Sequence, residues 1–86
     1  MPRYMVERTF PDSLQIPAND DGVAIVEKVV AKNAQSGVTW VHSYVSSDRK
    51  KTYCIYDGPS EAAIRQSAEA NGLPVDAVVP VTVLDP

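Results

Sequence analysis

A lone imidazole, a lone thiol and a carboxylate set among apolar residues are the groups in this chain best suited to chemistry. His42 is the only histidine and Cys54 the only cysteine. Imidazole is the side chain whose reference pKa lies nearest neutrality, so His42 is the first candidate for a metal ligand or an acid/base group. It stands in Trp40-Val41-His42-Ser43-Tyr44-Val45, and a strand period of two puts Trp40, His42 and Tyr44 on one face with Val41, Ser43 and Val45 on the other. The small aliphatic set suits contact with helices, which leaves Trp40, Tyr44 and His42 to line an open face, a pocket wall or an interface. The competing reading is a hydrogen-bonded interface histidine, because a metal site needs further ligands placed around the imidazole.

Cys54 is a second candidate ligand, and one residue of hairpin register decides it. An even loop, Asp48-Arg49 or Ser47 to Lys50, sets His42 opposite Ile55 and sends Cys54 to the covered face with Ser43. An odd, bulged loop makes His42 and Cys54 cross-strand neighbours able to share a soft or borderline metal. A buried core thiol is the alternative. Glu7 shares the parity of Met5 and so joins the open face if Val6 packs under helices. A carboxylate on a central strand wants a partner, either His42, Arg8 or an arginine across a dimer. Asp20-Asp21 reads as helix capping. The serines form no histidine-acid constellation, and no glycine-rich phosphate loop occurs.

The elements that must position these groups read in the order β-α-β-β-α-β. Arg3 to Phe10 alternates as a strand. Asn19-Asp20-Asp21 supplies a cap and an acidic first turn for a helix over 20–36, with Val23, Val26, Val29, Val30 and Ala34 facing inward and Gly37 as the left-handed stop. Val38 to Ser46 and Lys51 to Tyr56 form a hairpin. Pro59 or Ser60 opens a second helix with Ala63, Ile64 and Ala68 inward, and Asn71-Gly72-Leu73-Pro74 ends it. Val75 to Leu84 is the last strand, and Pro80 places it at an edge or a bulge. The expected architecture is α+β: a ferredoxin-like sandwich over residues 1–86, with a four-stranded antiparallel sheet carrying both helices on one face. Its open face, too apolar to leave in water, predicts a homodimer in the manner of a dimeric α+β barrel.

With 86 residues there is room for one core, and small cores gain burial by association. A net charge of -3, with Arg49-Lys50-Lys51 the longest basic run, argues against a nucleic-acid partner. A single cysteine excludes an intrachain disulfide, and no apolar stretch approaches the roughly 18 residues a spanning helix needs. The expected compartment is the cytoplasm, with no membrane partner.

The stretches Trp40 to Val45, Lys51 to Pro59, Glu61-Ala62-Ala63-Ile64-Arg65 and Asn71 to Asp76, with the opening Tyr4-Met5-Val6-Glu7-Arg8, resemble a family of small bacterial proteins of unknown function that is nickel-binding-protein-like. The resemblance implies a ferredoxin-like dimer and, for at least one branch, nickel binding; it implies no enzyme. Three functions stay open: a dimer binding nickel or a similar divalent transition metal through His42, Glu7 and Cys54; a dimeric barrel enclosing a small hydrophobic molecule against Trp40, Tyr44 and Tyr53 or Tyr56, with oxygenase-like chemistry; and a non-catalytic interaction module.

Overall fold

In the computed structural model the described residues are 2–14, 20–35 and 37–86, with the backbone alone described at 20–24, 32 and 35. Six elements follow the expected order: β1 (Arg3–Thr9), α1 (Asp20–Gln35), β2 (Thr39–Val45), β3 (Lys51–Asp57), α2 (Glu61–Ala70) and β4 (Ala77–Val81). The strands form one antiparallel sheet in the order β2-β3-β1-β4, the arrangement of a ferredoxin-like α+β fold. β1 is central and β4 is an edge, which accommodates Pro80 because a proline there withholds a donor only on the outer side.

Alternation along β1 decides which face is covered. Tyr4, Val6 and Arg8 are buried while Arg3, Met5, Glu7 and Thr9 are half-buried, and β3 repeats the pattern with Thr52, Cys54 and Tyr56 buried. Tyr4, Val6, Cys54, Tyr56 and Val78 from the sheet join Val38, Ala63 and Ile64 in the core. Each aliphatic side chain there contributes about 1.5 to 3 kcal/mol by leaving water.

Local chemistry sets the bounds of α2. Ser60 is its N-cap, its Oγ accepting from the Ala63 N–H at 3.1 Å. At the other end the Leu73 N–H donates to Ala68 O and the Gly72 N–H to Glu69 O, with Gly72 at φ 67°, so glycine releases the helix into the turn without a Cβ penalty. Gly37 has φ 71° and does the same after α1.

The apolar stripe of α1 differs from the one expected. Val26 and Val29 are half-buried and Asn33 is buried, whereas Val30 and Ala34 are exposed. The inward face is therefore 26-29-33, rotated from 23-26-30-34. Asn33 draws it round, since its Oδ1 accepts from the Ser67 hydroxyl and from Asn71 Nδ2, bonds that only a residue facing α2 can make. The Asn19 cap and the side chains of Asp20, Asp21 and Val23 lie outside the described residues. Among the described residues no helix is long and apolar enough to cross a membrane.

Candidate functional site

The hairpin has the even register. Its loop is Ser47 to Lys50, closed by the Ser46 N–H to Lys51 O and the Arg49 N–H to Ser46 O, both 2.9 Å. Asp48 Oδ1 accepts from Ser46 Oγ at 2.6 Å and from the Lys50 N–H at 3.0 Å, and these bonds hold its carboxyl below the usual carboxylate range. Arg49 takes the left-handed conformation, φ 61°, that the turn requires. Accordingly His42 pairs with Ile55, Ser43 with Cys54 and Tyr44 with Tyr53.

This register separates the two proposed soft ligands. Cys54 is buried on the covered face, its Sγ 3.7 Å from Thr52 Oγ1, with the whole sheet between it and His42. It cannot share a metal with His42.

Trp40 is also displaced from its expected face. The ladder slips between Trp40 and His42, so Val41 is an extra residue, Trp40 pairs with Tyr56, and its indole packs against the covered core. A bulge of this kind inverts the parity of everything before it. Trp40 Nε1 donates to Ser43 Oγ at 2.8 Å, which satisfies the indole on that side. Tyr44 alone of the two aromatic candidates lies with His42. Trp40 and Tyr56 face the helices while Tyr44 and Tyr53 face away, so the four rings do not wall one hydrophobic pocket. An open groove of about 620 Å³ does exist, but it runs between Pro2, the Arg3–Asp57 pair and Val81–Val83, away from these rings.

On the open face the register produces two cross-strand rows. One is His42, Ile55, Met5, Val79; the other is Tyr44, Tyr53, Glu7, Ala77. His42 is exposed, and its Nε2 shares a hydrogen bond of 3.2 Å with Tyr44 Oη, the rings meeting edge to face at 5.1 Å. Tyr44 is 61% exposed and Val79 40%, so large apolar side chains on this face meet water.

Glu7 lies on this face as its parity requires, but its partner is neither His42 nor Arg8. Lys51 Nζ, diagonally across from it on β3, donates to Glu7 Oε1 at 2.8 Å, and that bond and charge raise the Lys51 pKa. Arg8 has the parity of Val6 and is buried on the opposite face. Glu7 and His42 stand two strands and two residues apart, a separation of about 12 Å from strand spacing and rise. A single copy therefore offers one accessible imidazole, and among the described residues no group of three His, Cys, Asp or Glu could hold an ion. Lys51 is the partner of Glu7 that the sequence does not announce; the β1–β3 register was the signal needed, and it is a tertiary quantity.

The model of a family described as nickel responsive protein, SCO4226-like, matches residues 4–81. The chain belongs to that family. The crystal structure of SCO4226 from Streptomyces coelicolor A3(2) is similar in fold, with a TM-score of 0.74 over 96% of this chain and 99% of that one at 17% sequence identity. No curated protein matches the sequence.

Proposed function

We propose that this member of the SCO4226-like family is a small homodimeric binder of nickel or a similar divalent transition metal, with His42 as the anchoring ligand. The observation that carries the reading is an accessible imidazole on an uncovered, apolar sheet face, in a family named for its nickel response. Imidazole nitrogen suits a borderline ion such as nickel or zinc, and oxygen donors complete such a sphere readily. Among the described residues one copy does not furnish a whole site, so the remaining donors come from a second copy docked on the same face, where Glu7 is the carboxylate and would exchange its bond to Lys51 for the metal. Association would also withdraw Tyr44 and Val79 from water. Metal at Nε2 would take the place of the Tyr44 hydroxyl.

Calorimetric titration of chelator-stripped protein with nickel, zinc and magnesium, alongside light scattering, tests this. The expected result is a dimer that binds nickel and loses affinity on acidification, because only neutral imidazole offers a lone pair. His42→Ala should abolish the preference for nickel over magnesium, while Glu7→Gln weakens binding and keeps the preference. Unchanged nickel affinity in His42→Ala would overturn the assignment.

A further inference from the structure

Arg8 is 3% exposed, a cation shut between sheet and helices. Its guanidinium carbon lies 5.6 Å from the centre of the Tyr56 ring, and Nη1 donates to Tyr56 Oη at 3.3 Å. Its Nε, also buried, has no hydrogen-bond partner among the described residues. A buried charge is expensive unless an opposite charge and hydrogen bonds meet it. The described carboxylates near the sheet are committed elsewhere: Glu7 to Lys51, Asp57 to Arg3, Glu61 to Arg65, and Asp76 to the Thr9 hydroxyl. Tyr56 does not supply the anion either. Burial raises its pKa against the opposing pull of Arg8, so the phenol stays protonated at neutral pH. Cys54 serves as a donor to Thr52 Oγ1.

The other orphaned buried atom described in this layer is Asn33 Nδ2. Both orphans are N–H donors, so the layer is short of acceptors. α1 packs chiefly on β2 and α2 on β4, while Arg8 and Tyr56 belong to the two central strands between them. A planar guanidinium with a free Nε–H presents the fork that pairs with two oxygens of one oxyanion.

We propose that the covered side of the sheet, at its two central strands, binds a small oxyanion, a carboxylate or phosphate group, anchored by Arg8 with Tyr56 beside it. This site is on the opposite face from His42 and does not depend on the metal reading. The test is a titration of the isotopically labelled full chain with formate, acetate and inorganic phosphate, with chloride as control, at constant ionic strength. The Arg8 Nε–Hε resonance is followed together with the thermal midpoint. The expected result is a saturable shift of that resonance with at least one oxyanion, and a midpoint raised by several degrees over chloride. Arg8→Met should abolish the midpoint response; if that variant fails to fold, Arg8→Lys, which keeps the charge without the fork, should weaken oxyanion binding at least tenfold. Formate and acetate acting alone would identify an organic acid, phosphate acting alone an inorganic or phosphoryl group, and either supports the site. A resonance that does not move, with midpoints that follow ionic strength alone, overturns it.

Discussion

Gly58 offers a stringent test of the packing, because it is buried at the end of β3 where the chain turns toward α2. A Cβ built there would lie 2.9 Å from Ile64 Cδ1 and 3.4 Å from Val38 Cγ2. The first distance is shorter than real methyl contacts, but the atom in the way is the free end of a side chain that can yield. Overpacking of that kind costs about 1 kcal/mol, the low end of its range. Gly→Ala also stiffens the unfolded chain, which returns about 0.4 to 1 kcal/mol. Gly58→Ala should therefore cost between about zero and 0.6 kcal/mol. Ile64→Val deletes Cδ1 and leaves a small void, costing about 1 kcal/mol. In the double variant the new methyl occupies the space Cδ1 vacated, so both penalties shrink. The pair should be less destabilised than the sum of the singles by about 1 kcal/mol, or about 4 to 8 °C in thermal midpoint for a domain of this size. Urea and thermal unfolding followed by far-ultraviolet circular dichroism supply the four midpoints. Additivity within about 0.3 kcal/mol would refute the argument, since it would mean that Gly58 and Ile64 do not compete for one volume.

Other expectations follow from single contacts. Cys54 should label slowly with a thiol reagent in native protein and rapidly in denaturant; fast native labelling would contradict its burial on the covered face. Ser60→Ala should cost about 1 kcal/mol by unfolding assay through loss of the α2 cap, with Ser60→Asp close to wild type. Arg3 holds the Asp57 carboxyl below its ordinary pKa, by hydrogen bonding first and charge second. Its contribution is thus present above the unfolded carboxylate value, about 3.9, and is lost as pH falls through the lower native one. Asp57→Asn should flatten the fall in thermal midpoint between about pH 5 and pH 2, and an unaltered acid limb would count against the pair.

The elements were legible because each carries its own punctuation. Ser60, Gly72 and Gly37 act within one turn of chain, and the alternation of β1 set Glu7 and Val6 on opposite faces before any partner strand was known. What escaped depends on contacts between distant segments. The Val41 bulge has no glycine to announce it; it arises from how β2 is matched to β3, and it turned Trp40 away from His42. Arg8, next to Glu7 in sequence and a natural candidate for its partner, is buried on the covered face, as its parity with Val6 requires. Asn33 rotates the α1 stripe for a similar reason, since a polar residue faces inward when α2 supplies Ser67 and Asn71. For Trp40 and Asn33 the local rule was sound and a tertiary partner outweighed it.

The Val41 bulge also equips the protein with its own pair of gauges. It leaves the chain's one indole and one imidazole two residues apart yet on opposite sides of a single strand. Emission from Trp40 registers whether the helical layer is seated, and the proton resonances of His42 register what meets the other side. An agent that moves one signal alone has declared the side on which it acts; one that moves both has been felt through the thickness of the sheet.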